Sequence, residues 1–336
     1  MTSRFLRSTF ARLGPVARRD KRIAKLERAL EERLHQDERS YSVPSFRRYI
    51  YAERRLAAHL QMLDQRARGQ QLTHKLKSYS FATSHGVDIP QLFAVWERPE
   101  DIDWDKLPDA VVIKSAGGTS GRGVFPLRRA ADRWTTVTTT DTVTSSEIVD
   151  LLRVRAQDRL VRGPFFAEEL LGGGVDNVLP NDVKIHAFYG EVTHVLLRRV
   201  SVHAGSSKGF RVVFPDGTDA GPVVRGLTHD DSIPIPENLG DLCDAAARLS
   251  LGIPRAYVRV DMYDVDGRMV FGEFTPRPGN PMDYGPKLDE LFGHSWESAQ
   301  ARMLNDIPHS AGLDLRFGPR PRELMIGRQP YLPKGT

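Results

Sequence analysis

Cysteine is almost absent: Cys243 is the single thiol in 336 residues. That excludes an intramolecular disulfide framework and fits a reducing cytosol. Cys243 falls in an alanine-rich, helix-like run and reads as a small apolar residue. No apolar run reaches the 18 residues that would suggest a membrane span. There is no Gly-x-Ser-x-Gly elbow, and the ten histidines show no zinc-ligand spacing. The phosphate loop ending in Gly-Lys-Ser/Thr, the dinucleotide fingerprint and internal repeats are also missing. Covalent nucleophilic catalysis, zinc hydrolysis and Rossmann-type redox chemistry therefore have no support.

Acid is scarce at one end only. Residues 1–77 hold 19 Lys/Arg and 8 Asp/Glu, whereas the remainder holds 29 and 35. The basic balance thus belongs to an N-terminal extension and not to the body. Residues 1–19 carry five arginines and no acid, with Phe5, Leu6, Phe10, Leu13 and Val16 near one helical stripe. Such a segment suits an anionic membrane surface or a protein partner; a solvated basic tail is the plainer alternative. No nucleic-acid reader motif accompanies it, which argues against a nucleic-acid partner. The expectation is a cytoplasmic protein, with the inner membrane surface as a further location for the extension.

What is present begins with residues 258–275. Asp261 and Glu273 end two apolar runs separated by Asp266-Gly267, the signature of a β-hairpin with one carboxylate on each strand. Paired carboxylates suit an oxygen-ligated divalent cation, Mg²⁺ usually sharing its shell with phosphate and water. Upstream, Lys114 follows a short buried-type strand, and Gly117, Gly118, Thr119, Ser120 and Gly121 follow Lys114. The flanks argue strand–loop–strand. Such a loop can close over phosphates because no Cβ blocks backbone from anion. An apolar segment, 165–171, then ends in three glycines and reads as a hinge. A second hairpin turns at Tyr189-Gly190: Asp182, Lys184 and His186 share one strand face by period two, and Arg199, Leu197 and Val195 share one on the return strand.

In this order the motifs resemble the ATP-grasp superfamily, and most closely its TupA-like branch, named for teichuronopeptide biosynthesis. The local grounds are Asp182-Val-Lys184, the Phe271-Gly-Glu273-Phe-Thr275 ending and the run Tyr284-Gly-Pro-Lys287-Leu-Asp289. The likeness covers residues 73–305. It implies an α+β fold of two α/β lobes with ATP between them, preceded by a basic helical extension. The implied divisions are 1–72, 73–165, 166–305 and a Pro/Arg-rich tail over 306–336. It implies phosphate lysines at Lys75 or Lys77 and at Lys114, under the glycine loop. Adenine would meet the backbone of Glu169, Leu170 and Leu171, with Glu168 near its amino group and Asp176 at the ribose. Lys184 and either Arg198 or Arg199 would face an acyl phosphate; Asp261 and Glu273 would hold Mg²⁺. Where the family carries Asn two residues after the metal Glu, this chain has Thr275, and Asn280 is the candidate substitute.

The implied reaction is carboxylate–amine ligation through an acyl phosphate, with ADP and phosphate released. The partners are an acidic small-molecule or glycan donor and an amine acceptor; surface-polymer or natural-product synthesis is the implied setting. A kinase that stops at phosphoryl transfer and a nucleotide-binding scaffold are the alternatives. Elsewhere, helices are expected over 20–36, 45–68, 73–84, 145–157 (capped by Ser145 or Ser146) and 237–251. A Thr-rich edge strand is expected over 135–144. Residues 204–236, with Lys208, Arg211 and Arg225, read as an irregular substrate loop, and the chain beyond 305 as a surface wrap.

Overall fold

Alternating apolar strands joined by two-residue turns build the larger lobe. Tyr189 and Gly190, and likewise Asp266 and Gly267, carry paired positive φ (43° and 91°; 53° and 82°). This is the primed-turn geometry that matches strand twist. The computed structural model describes residues 23, 25–28, 43–65, 70–118, 121–137, 139, 141–172, 179–199, 209–278, 283–306 and 314–334. Residues 1–19 lie outside the described residues, as does most of the helix expected over 20–36, of which 23 and 25–28 are helical. The chain divides into compact units at Ser45/Phe46.

Helix α1 (Phe46–Met62) belongs to this second unit, ahead of the division expected at 72. Phe46 and Ile50, one turn apart, are fully buried in an aromatic cluster with Tyr257, Phe292 and Trp296. Helix α2 (Lys75–Ser84) buries seven of its ten residues. Its buried serines suit the dry site because each hydroxyl reaches a backbone carbonyl: Ser78 Oγ donates to Leu72 O at 2.9 Å, Ser80 Oγ to Arg322 O and Ser84 Oγ to Phe81 O at 2.7 Å. His74 caps α2 by accepting from Lys77 N–H. Burial, with Lys77 beside it, lowers the His74 pKa to about 4, so the ring stays a neutral acceptor.

The smaller lobe is an eight-stranded sheet in the order β13-β12-β1-β6-β2-β3-β4-β5. Its strands are β1 (Leu92–Trp96), β2 (Ala110–Gly118), β3 (Val124–Ala130), β4 (Arg133–Thr136), β5 (Thr142–Val143), β6 (Val161–Glu169), β12 (Leu324–Ile326) and β13 (Gln329–Tyr331). The expected Thr-rich edge strand is therefore two short strands, β4 and β5, at one edge. The tail expected to wrap the surface instead supplies β12 and β13, with Leu324 1% exposed. Helix α3 (Ser145–Gln157) packs on β6. Its cap is Thr144, not Ser145 or Ser146, because Glu147 completes a capping box with Thr144.

The larger lobe is an antiparallel sheet in the order β11-β10-β7-β8-β9. Its strands are β7 (Asp182–Phe188), β8 (Glu191–Arg198), β9 (Phe210–Val213), β10 (Val258–Val265) and β11 (Arg268–Thr275). Strand β9 lies inside the stretch expected to be irregular. Helix α4 (Leu239–Leu251) covers one face, and helix α5 (Pro286–Asp306) packs on β7 and β8 and against α1. Helix α2 contacts β2, β11 and β12 and so joins the two sheets.

Candidate active site

The β7–β8 and β10–β11 hairpins of the five-stranded sheet each carry a bulge, and the bulges assemble the site. Counting outward from the Asp266-Gly267 turn, Met262 pairs with Phe271, so unbroken pairing would set Asp261 opposite Gly272. A register shift after Met262 instead sets Asp261 opposite Glu273. The extra residue is Gly272, where a Cβ would come within 2.8 Å of the Tyr263 ring. In the β7–β8 hairpin, Ala187 pairs with Val192 but His186 pairs with His194, so Asp182 meets Arg198 and not Leu197. A one-residue slip exchanges the faces of a strand. Asp182, Lys184, Arg198, Arg259, Asp261 and Glu273 thereby come to one face.

On that face the charges interlock. Arg259 donates from Nε to Asp261 Oδ1 and from Nη2 to Oδ2, both at 2.6 Å, and from Nη2 to Thr275 Oγ1 at 2.9 Å. Lys184 Nζ donates to Asp261 Oδ2 at 2.8 Å and lies 3.3 Å from Asp182. Arg198 pairs with Asp182 through Nη2, while its buried Nε has no partner. Burial alone would raise the Asp261 pKa; Arg259 and then Lys184 overcome it and hold the carboxyl at about 2. Glu273 stands beside this network, exposed.

Across from it, β2, β6 and α2 converge. Lys114 pairs with Glu168 and donates to Tyr79 OH at 3.3 Å, and Tyr79 OH donates to Glu168 Oε2 at 2.8 Å. Lys75 Nζ reaches Gly118 O at 3.5 Å. Burial lowers the Lys75 pKa, Glu273 opposes that, and Lys114 adds to it. Lys75 is therefore the lysine that joins Lys114; Lys77 is placed by its N–H on the His74 cap. The glycine loop is pinched at its neck, where Ser115 N–H donates to Gly123 O at 2.9 Å and Ser115 Oγ to Gly117 O at 3.0 Å. Gly121 has φ +69°.

The residues of the expected hinge have different surroundings. Glu168 is 2% exposed and ties Lys114 to Tyr79. Glu169 accepts from Arg268 Nη2 at 2.7 Å and from Gln91 N–H at 3.1 Å, and its own N–H donates to Gln91 O. Glu169 thus fixes the strand end, and Leu170 and Leu171 continue the connector, both buried. Arg199 points away, donating to Ser232 Oγ at 2.9 Å, 3.8 Å from Asp230. Thr119, Ser120, Asp176, Asn280 and Lys208 lie outside the described residues. Among the described residues no cluster of three or more His, Cys, Asp or Glu could hold a metal. Nor is any helix long and apolar enough to cross a membrane.

Sequence reasoning missed Arg259, Tyr79 and Tyr263. Arg259 and Tyr263 flank Asp261 at a spacing of two, and Tyr79 lies one helical turn after Lys75, which were available signals.

Two lobes, with lysines on one and paired carboxylates and an arginine on the other, define a nucleotide-dependent group-transfer enzyme. A family model described as TupA-like ATP-grasp matches residues 56–297, and the chain belongs to that family. With that membership it is an ATP-dependent ligase of the general carboxylate–amine kind, with the α+β ATP-grasp fold. Solved structures with similar folds include a D-alanine–D-alanine ligase from Bacillus anthracis (17% identity, TM-score 0.45, 74% of this chain and 73% of that one). Others are an L-amino acid ligase from Bacillus licheniformis (14%, 0.40, 67% and 46%) and a D-alanine–D-alanine ligase from Helicobacter pylori (11%, 0.40, 76% and 67%). No curated protein matches the chain.

Proposed function

We propose that the chain activates a substrate carboxylate as an acyl phosphate on the β7–β8–β10 face and passes the acyl group to an amine. ADP and phosphate leave, and the product is an amide. The observation that carries this reading is the convergence of Lys184, Arg198 and Arg259 on one face, with Arg198 Nε buried and without a partner. A phosphoryl oxygen is the kind of acceptor that satisfies such a donor. Lys75 and Lys114, from the other lobe, would hold ATP phosphates between the lobes.

Fixed cations aimed where charge develops stabilise a phosphoryl-transfer transition state without a covalent protein nucleophile. Asp261 orients two of these cations: Arg259 by a two-point fork and Lys184 by a single bond. The donor set fits Mg²⁺ best at Glu273, which is exposed. Asp261 could join only as Arg259 or Lys184 gives up an oxygen. Bound there, Mg²⁺ would neutralise phosphate charge and orient the transferred group. The TupA-like family supports surface-polymer synthesis as the setting, with an acidic small-molecule or glycan donor.

The test is release of ADP and phosphate from ATP by the full chain, screened over pairs of carboxylic acids and amines. Release that needs both substrates, in a one-to-one ratio with amide, is expected. Release with an acid alone, leaving a stable phosphorylated product, would replace the ligase with a kinase. AMP as product would end the reading.

A further inference from the structure

Beyond the ionic network, the same face runs on to a second group of cations under α1. Arg255 is 6% exposed, donates to Glu53 Oε2 at 2.9 Å and to Pro276 O at 3.2 Å. Arg54, next to Glu53 on α1, donates to Pro278 O. Between these two backbone contacts sits Arg277, whose Nη1 is buried and has no hydrogen-bond partner. Burial lowers the Arg277 pKa, and the like charge of Arg255 lowers it further; Glu53 only partly opposes them. Glu53, the carboxylate that acts on Arg277, is thus already paired with Arg255.

A half-buried guanidinium held against another cation, with a dry and unused donor, is costly unless an anion completes it. Arg277 is also two residues past Thr275, the last residue of β11, whose hydroxyl accepts from Arg259. The empty donor therefore lies beside the proposed acyl-transfer face. Glu53 and Arg54 precede residue 56, where the family match starts.

We propose that Arg277, backed by Arg255 and Arg54, binds a carboxylate of the substrate that is not the one being activated. This rests on the ligase reading and narrows its substrate class. The carboxylate belongs either to the amine acceptor, which is then an amino acid, or to the donor, which is then a dicarboxylic acid. A planar guanidinium fork matches a carboxylate in two-point geometry, so lysine is a poor replacement.

The experiment uses the full chain loaded with Mg–ADP, as wild type, Arg277→Gln and Arg277→Lys. Calorimetric titrations use glutamate, succinate and inorganic phosphate as probes, and thermal melts are run without probes. The wild type is expected to bind glutamate or succinate saturably, Arg277→Gln to weaken that binding at least about tenfold, and Arg277→Lys to fall between. Glutamate preferred over succinate assigns the carboxylate to the acceptor; the reverse assigns it to the donor. Without probes, Arg277→Gln is expected to melt at the wild-type temperature or above, since an uncompensated charge is removed. Equal carboxylate binding in Arg277→Gln, no carboxylate binding by the wild type, or tighter binding of phosphate overturns the proposal. So does an Arg277→Gln melt more than about 3 °C lower, which marks a structural arginine. Failure of the wild type to bind Mg–ADP is a separate result that strikes the ligase reading itself.

Discussion

One face of the five-stranded sheet has two ends built along β7, β8 and β10. At one end stand Asp182, Lys184, Arg198, Arg259 and Asp261. At the other, two residues further along the same strand faces, stand His186, His194 and Tyr257, packed with Phe292 from α5. His186 and His194 stack at 4.0 Å, and His194 stacks on Phe292 at 4.0 Å. Their hydrogen bonds go to Tyr257 OH (3.0 Å) and Tyr284 OH (2.8 Å). Burial pushes His194 down to about 3 and His186 well below its ordinary value. Helices α1 and α5 pack on the second end, through Phe46, Phe292 and Trp296. The same alternation therefore gives a neutral, dry stack where helices pack on it and a network of close ion pairs at the other end.

The largest test of this contrast is Asp261→Asn. Removing the charge leaves Arg259 and Lys184 facing each other in a dry setting, a loss of about 3–5 kcal/mol by analogy with broken buried pairs. ADP formation should fall roughly 10²-fold or more. Denaturant melts and ADP release measured together check both, and near-normal values would mean the network is ornamental. Arg198→Ala should cost activity on a similar scale. Arg199→Ala, whose partners are surface groups, should cost less than about 1 kcal/mol of stability and little turnover. Equal effects of the two would undo the assignment by bulge.

The neutral end makes a prediction in pH. His194 titrates near 6.5 when unfolded and near 3 when folded. Below pH 6.5 the unfolded chain gains a proton that the folded chain refuses, so stability falls as pH drops, until about pH 3. The full loss amounts to roughly 5 kcal/mol from this ring alone. His194→Gln, which keeps polar atoms but does not titrate, should flatten that part of the urea-stability curve. Parallel curves for the two proteins would place the acid sensitivity elsewhere.

Gly272→Ala should cost about 1–3 kcal/mol, because a Cβ there meets the Tyr263 ring at 2.8 Å and the Asp261 carbonyl at 3.1 Å. An unchanged melt would mean the bulge can relax. Smallest of all, Lys334→Ala breaks a 2.7 Å pair with Glu97 whose partners are 86% and 66% exposed. It should leave the melting temperature unchanged, because water already solvates both partners.

Much of this was legible without coordinates. The order of Lys114, the glycine loop, the hinge and the two hairpins carried the family, and the family carried the fold. Apolar spacing gave α2, α3 and α4 to within a few residues. The Pro/Arg-rich tail misled because β12 and β13 are three residues each and take their stability from the sheet edge they join, not from their own pattern. Likewise, α1 reads as part of a charged extension, since only Phe46 and Ile50 of its seventeen residues are buried.

The sequence by itself determined which groups are available: two lysines for one lobe, paired carboxylates and arginines for the other, and two primed turns to hold the hairpins. Which of those groups meet was decided by tertiary structure. Perfect pairing from the turns would have set Asp261 against Gly272 and Asp182 against Leu197. One inserted residue in each hairpin, tolerated because Gly272 lacks a side chain against Tyr263 and because helices α1 and α5 brace the strands, turns Glu273 and Arg198 onto the working face. Strand parity is a two-state property with no partial value. One bulge in each hairpin, invisible in composition or periodicity, therefore sets Arg198 rather than Arg199 beside Asp182 and makes Asp261 and Glu273 neighbours.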